Sequence, residues 1–331
     1  MADKTGISWT DATWNPIRGC SRASEGCRNC YAERVAARFS GKGHPYEGLA
    51  ITRPPMPGER AGRPSWTGEV RLIPEHLADP LRWKKPRRIF VNSMSDLFHE
   101  KLTNEQIAAV FGVMAAAPRH TFQVLTKRAK RMREWFAWAC KVECVIQGME
   151  TEAIRSSLHH AACDASPEIA KLTAGKWCGF YWPLPNVWLG VSVEDQAAAD
   201  ERIPELLATP AAVRFLSCEP LLGPVELTAE CIEERANGGT ALDWVIAGCE
   251  SGPGARPCGV EWLRSLRDQC ARSGVAFFLK QATERPPIRG VCTSNGPIAI
   301  GRNSKAKGGG VVELPYLDGV QHAAFPEVAH G

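Results

Sequence analysis

The sequence predicts an α/β protein built as a (β/α) TIM-like barrel, full or partial. Three observations carry that reading. Short β-rich runs alternate with helical patterns along the chain. The strand centres are apolar, as strands covered on both faces require. Eight such units in about 280 residues suit a closed barrel better than an open doubly wound sheet. The 331 residues exceed the ~150 of an average domain yet fall within one large barrel. A composition of 44% hydrophobic and 23% charged residues excludes wholesale disorder.

Taken in order, a first strand near 14–18 precedes a helix over 31–39. Gly, Pro and Arg dominate 41–67, which reads as a long loop over one barrel end. A strand at 69–73 leads into the helical pattern 74–81. The strand 88–92 leads through 93–98 to a helix that Thr103 and Asn104 cap, with Glu105 near its first turn. The strand 121–126 feeds the basic helical run 127–136. Residues 139–185 then break the rhythm as a Cys-rich insertion. The strand 186–192 and helix 194–207 resume it, followed by strands at 212–217 and 244–248, a helix over 261–273 and a last strand at 275–280. The barrel domain is therefore expected over 1–281, with 282–331 as a glycine-rich extension covering it.

Polar residues gather at the predicted strand ends: Ser93 and Asp96, Thr126 and Lys127, Ser192 and Glu194, Glu219, Glu250 and Ser251, Lys280 and Gln281. Parallel strands bring these ends to one rim, where barrel sites are built. Glu219 and Glu250 are expected to line that pocket as acid, base or substrate anchors, with no role assigned. Such carboxylates serve equally to neutralise Arg202, Arg256 or Lys280.

The N-terminal ten residues have neither the basic nor the apolar region of a signal peptide. The longest apolar stretch, 110–117, is far short of a bilayer span. A cytoplasmic protein with no membrane partner is expected, with its thiols reduced. A net charge of +4 is too mild to diagnose a nucleic-acid partner. Two basic clusters stand out, Lys84, Lys85, Arg87 and Arg88, then Lys127, Arg128, Lys130, Arg131 and Arg133; a solvated face is their plainest reading.

The thirteen cysteines, about 4% of the chain, are too few for a disulfide scaffold. The most informative are Cys20, Cys27 and Cys30, spaced C-x6-C-x2-C in a loop that also contains Gly19 and Gly26. The loop follows a predicted strand and precedes a predicted helix. Backbone N–H groups can hydrogen-bond such sulfurs, and the helix start favours an anionic centre. Three readings stay open. A structural zinc site wants a fourth ligand that local spacing does not supply. Dithiol redox chemistry needs only Cys27 and Cys30. A four-iron cluster with one open iron uses all three. Within the insertion, Cys140, Cys144, Cys163 and Cys178 with His159 and His160 are candidates for a second metal site, although their spacing matches no common pattern. Cys218, Cys249, Cys258, Cys270 and Cys292 are scattered and read as packing residues.

A three-cysteine loop after the first strand of an α/β barrel, ending Cys27-Arg-Asn-Cys-Tyr31, resembles the radical S-adenosylmethionine superfamily. More closely, the chain resembles a phage-associated three-Cys-motif family of largely unknown function, itself distantly similar to spore photoproduct lyase. The resemblance rests on Trp14-Asn-Pro-Ile-Arg-Gly-Cys20, Phe90-Val-Asn-Ser-Met-Ser-Asp-Leu-Phe98, Leu125-Thr-Lys-Arg128, Val187-Trp-Leu-Gly-Val-Ser-Val-Glu194, Phe215-Leu-Ser-Cys-Glu-Pro-Leu-Leu222, Ala247-Gly-Cys-Glu-Ser-Gly252 and Phe278-Leu-Lys-Gln281. The superfamily spacing is C-x3-C-x2-C, so the first gap here is longer. The resemblance implies that Cys20, Cys27 and Cys30 hold a [4Fe-4S] cluster whose open iron binds S-adenosyl-L-methionine. It implies cleavage to a 5′-deoxyadenosyl radical that modifies or repairs a nucleotide, nucleic acid or related metabolite. Tyr31, Ser93, Lys127 and Ser192 become cofactor contacts, and a flavodoxin- or ferredoxin-like protein the electron donor. The alternative is a non-catalytic zinc or iron–sulfur module that interacts with nucleic acid.

Overall fold

Apolar runs become parallel strands when both faces are covered, and seven runs do so in the computed structural model. It describes residues 5–55, 62–141, 150–174, 182–232, 241–251, 254–281 and 314–327. The protein is mixed α/β, and the chain divides into two compact units: Ala12–Val187, and Lys4–Asp11 together with Trp188–Gly331.

The first unit opens with β1 (Ala12–Trp14) and β2 (Ile17–Arg18), then α1 (Tyr31–Arg38). Next come β3 (Ala50–Arg53), β4 (Arg63–Trp66), β5 (Arg71–Leu72), α2 (Pro74–Leu77) and α3 (Asp79–Arg82). β6 (Arg88–Val91), α4 (Asn104–Ala116), β7 (Thr121–Thr126), α5 (Ala129–Lys141), α6 (Glu150–Ala165) and α7 (Pro167–Thr173) complete it. β1, β6 and β7 run parallel, with Ala12 opposite Ile89 and Ile89 opposite Phe122. Two short antiparallel pairs, β2 with β5 and β3 with β4, stand apart from these strands.

Helix α4 shows why this unit holds together. Thr103 and Gln106 form a reciprocal capping box at its start. Eight consecutive residues from Ile107 to Met114 are buried, so the helix is covered nearly all round. Gly112 supplies the closest approach, since a Cβ there would collide with the Leu158 carbonyl of α6. The aromatic centre stacks Phe111 on Trp135 at 4.3 Å, with Phe136 at 5.5 Å from Phe111. Trp182 lies 5.3 Å from Phe136. The segment set apart in the sequence as an insertion thus contributes α6 and Trp182 to this core.

In the second unit, β8 (Val187–Ser192), α8 (Gln196–Leu207), β9 (Val213–Cys218), α9 (Ala229–Ile232) and β10 (Trp244–Gly248) come first. α10 (Val260–Ser273), β11 (Ala276–Gln281), β12 (Tyr316–Leu317) and β13 (Val320–Gln321) follow. β8 to β11 pair parallel in chain order, and every residue of β8 and β10 is buried. Trp244 is the hub. Trp9, Trp188, Phe215, Phe278 and Phe325 surround its ring at centroid distances of 5.1–6.2 Å. Its indole N–H donates to the Ala324 carbonyl (2.8 Å).

The C-terminal segment lies antiparallel along β11, where the Leu279 N–H donates to His322 O (2.9 Å) and the Ala324 N–H to Phe277 O (3.2 Å). Its hairpin β12–β13 turns at Asp318-Gly319, both with positive φ, as a two-residue Asp-Gly turn does. Arg264 and Arg267 of α10 both donate to the Asp318 carboxylate.

Two expectations are corrected. The predicted strand 69–73 is not a parallel strand: only Arg71–Leu72 pairs, antiparallel to Ile17–Arg18, and Pro74 starts the next helix at once. The predicted loop 41–67 contains the β3–β4 hairpin, which buries Ala50 and Trp66 against Ala32 and Ala36 of α1. Among the described residues, seven parallel strands therefore stand where eight were expected. Of the extension, 282–313 lie outside the described residues. Among the described residues, no helix is long and apolar enough to cross a membrane.

Candidate metal centre

The cysteine loop leaves β2 through Gly19, whose φ of 90° is open to glycine at no steric cost. A Cβ at this position would collide with the Glu69 carbonyl. The loop passes a 3-10 turn at Glu25–Cys27 and ends at Cys30, the residue that caps α1. Arg22 grips Glu33 through Nε (3.2 Å) and Nη2 (2.7 Å). The buried Glu33 also accepts from the Trp66 N–H (2.9 Å), so one carboxylate ties loop, helix and hairpin together.

A second anchor comes from the segments following β6 and β7. Arg128 donates to Asp96 Oδ2 (3.0 Å), Glu100 Oε2 (2.8 Å), Ser21 Oγ (2.8 Å) and the Ser21 carbonyl (3.2 Å). Asp96 is saturated, accepting also from Thr126 Oγ1 (2.7 Å) and the Phe98 and Lys127 N–H groups. His99 is fully buried and accepts the Lys101 N–H at Nδ1 (3.2 Å). That acceptor role fixes the proton on Nε2, which donates to Ser21 Oγ (2.9 Å). Burial, with Arg128 nearby, holds the His99 pKa below its ordinary value. The residue next to Cys20 is thus held on several sides.

Burial pushes the Cys20 thiol up to about 12, helped by Asp96 and the other two sulfurs and opposed by Arg128. Cys30 is raised too, first by burial, while the Glu33 and Ala32 amides favour its thiolate and Cys27 opposes it. The Ala23 N–H donates to Cys27 Sγ (3.5 Å). Three mutually sensed sulfurs with amide donors and a nearby guanidinium suit a cationic thiophilic centre in kind. As placed they do not close on one point: among the described residues, no group of three or more His, Cys, Asp or Glu side chains is disposed to hold a metal ion.

Two of the predicted cofactor contacts meet in this unit. The half-exposed Tyr31 donates its hydroxyl to the Ser93 carbonyl (2.6 Å), and Ser93 Oγ donates to Asn15 Oδ1 (3.2 Å). Lys127 follows β7 directly and donates its backbone N–H to Asp96. Asn92, which composition and spacing do not single out, is buried at the end of β6 with φ 61°. Its Oδ1 accepts from the Ile17 N–H (3.4 Å), while its Nδ2 has no partner among the described residues.

The other predicted residues belong to the second unit, each at a strand end. Ser192 is buried, and its carbonyl accepts from Arg202 (2.8 Å). Glu194 pairs with Arg202 at 2.9 Å, Glu219 with Lys280 at 2.6 Å and Glu250 with Arg256 at 2.6 Å. All three carboxylates meet the cations that sequence reasoning named as alternatives to a pocket role. In the insertion, Cys140 lies on α5 and Cys163 on α6, neither in a disulfide. His159 and His160 neighbour each other on α6 at a ring distance of 6.1 Å. Cys144 and Cys178 lie outside the described residues.

Fold and site define an α/β protein whose parallel strands end in polar networks, one of which anchors a three-thiol loop. The chain belongs to the family described as Protein of unknown function (DUF5131), whose model matches residues 4–326. No curated protein and no solved structure matches it.

Proposed function

We propose that this chain is a radical S-adenosylmethionine enzyme acting on a nucleotide, nucleic acid or related metabolite. Cys20, Cys27 and Cys30 would hold a [4Fe-4S] cluster. The observation that carries the reading is the three-thiol loop, anchored through Ser21 to Asp96, Glu100 and Arg128. The sequence resemblance, which includes that loop and further stretches up to Gln281, supports it as well. When bound, the cluster and S-adenosylmethionine supply one-electron cleavage of a sulfonium and hydrogen-atom abstraction from substrate.

The chain's own residues position and insulate. Arg128 offsets the negative charge of a thiolate-rich centre, and the Ala32 and Glu33 amides favour the Cys30 thiolate. The buried Trp14, its N–H bound to the His76 carbonyl (2.7 Å), keeps water from the strand that leads to the loop. Asn92 Nδ2 is a buried donor left over for a bound group. Tyr31, Ser93 and Lys127 would contact the amino, carboxylate or ribose groups of the cofactor. Ser192, Glu219 and Glu250 keep parts assigned by resemblance and strand-end position alone. A flavodoxin- or ferredoxin-like donor would supply the electron.

Anaerobic purification with iron and sulfide counts, before and after Cys27→Ala, tests the reading. About four irons per chain and 5′-deoxyadenosine formation under reduction are expected for the parent, and loss of both in the variant. Iron content unchanged by Cys27→Ala, or an intact cluster that neither binds nor cleaves the sulfonium, defeats it. The competing non-catalytic metal module for nucleic acid draws on the surface cations described next. Stoichiometric zinc in a colourless protein would favour it.

A further inference from the structure

The mild charge of the whole chain conceals an uneven distribution. Residues 18–63 hold nine Lys and Arg against four Glu, a net +5 where the full chain has +4. The basic clusters that stand out in the sequence are partly turned inward. Arg87 lies over the Trp83 ring at 5.1 Å, Arg128 anchors the cysteine loop, and Arg131 donates to Asn104 Oδ1 (2.6 Å).

The cations of α1 and its hairpin are placed differently. Arg34, Arg38, Lys42 and Arg53 have no acidic partner among the described residues. Directly after Arg38, at the end of α1, Phe39 is 47% exposed, with His44 at 6.4 Å from its ring. On the hairpin, Arg53 sits directly opposite Arg63 in the ladder. Ile51, two residues before Arg53 and so on the same face, is 45% exposed. Helix and hairpin form one packed body through Ala32, Ala36, Ala50 and Trp66.

We infer that α1 and the β3–β4 hairpin form a docking surface for single-stranded nucleic acid. The cations meet phosphates, and the exposed Phe39 ring stacks on an unpaired base. An acidic protein partner fits less well, because protein interfaces bury aromatic anchors in a core depleted of charge, whereas here the exposed ring follows Arg38 directly and precedes Lys42 by three residues. The inference goes beyond the proposed chemistry by assigning the substrate class a surface, and it does not depend on the thiols.

Fluorescence anisotropy of the full chain with a labelled oligothymidylate of about 20 nucleotides, against a duplex of the same length, tests it. The oligothymidylate should bind more tightly, with affinity falling as salt rises. The double variant Arg38→Glu, Arg53→Glu should weaken binding at least about tenfold and flatten the salt slope. Phe39→Ala should weaken the oligothymidylate about 5-fold or more while leaving the slope unchanged. The Cys27→Ala chain should bind like the parent, which separates failure here from failure of the metal reading. Absence of binding at low salt, or parental affinity in correctly folded variants, overturns the inference. Binding of an acidic polypeptide in place of the oligonucleotide also overturns it and reassigns the surface.

Discussion

Arg128 sets one guanidinium against three residues of two other chain segments, and its value can be measured. It and Asp96 are both largely removed from water, so deleting one partner leaves an uncompensated buried charge. Arg128→Met should cost about 3–5 kcal/mol by urea unfolding; a loss under about 1 kcal/mol would show that the network carries no net stability. Arg128→Lys keeps the charge but not the fork, and should fall between the two. The three cysteines were legible in the sequence because their spacing is local. This anchor was not: Ser21 meets His99 across 78 residues and Arg128 across 107. Only the parallel register of β1, β6 and β7 brings those positions together. Nor did composition single out Asn92, since the sequence cannot show that one amide of a strand-end Asn lacks a partner.

At the scale of elements, legibility followed how fully an element's own residues determine it. Helix α4 was readable from Thr103 onward, because capping and a continuous apolar run are local signals. The β3–β4 hairpin was hidden by its prolines and glycines, and only Trp66 and Ala50 packing on α1 makes it a hairpin. β5 misled in the opposite sense. Val70, Leu72 and Ile73 look like a strand, but Pro74 ends the run before a ladder can extend. The β12–β13 hairpin gives this scale its prediction. Arg264 and Arg267 hold the Asp318 carboxyl down at about 2, against about 3.9 in an unfolded chain. Its stabilising contribution is therefore complete above about pH 4 and is lost as pH falls toward 2. Asp318→Asn should lower stability at pH 7 and remove that part of the acid sensitivity. Unfolding titrations of both proteins between pH 7 and 2.5 would show the gap closing; a constant gap would show that the ion pairs do not set it.

On the scale of the whole molecule, alternation of strands and helices was read correctly, and the number of parallel strands was not. Each unit has its own aromatic centre, Phe111 with Trp135 in the first and Trp244 in the second. Trp244→Ala should cost about 3–5 kcal/mol through the cavity it leaves. The loss should reach signals from Trp9 and Trp188, whose rings touch it, before those of Trp135. Coincident loss from all the tryptophans would show that the two units unfold together.

Trp9 packs on Trp244 across 235 positions of chain, and Phe325 closes on the same ring at 5.1 Å. During synthesis the segment around Trp9 leaves the ribosome early and has no native partner until Trp244 follows it. At ordinary elongation rates that interval lasts about 10–50 s. All of Ala12–Val187 is made in between and can fold first, since most of its partners lie within its own span. The early indole must meanwhile remain available, and an apolar side chain kept waiting is an invitation to premature association. A centre completed by residues from both ends of the chain therefore makes the second core the last part of the protein to mature.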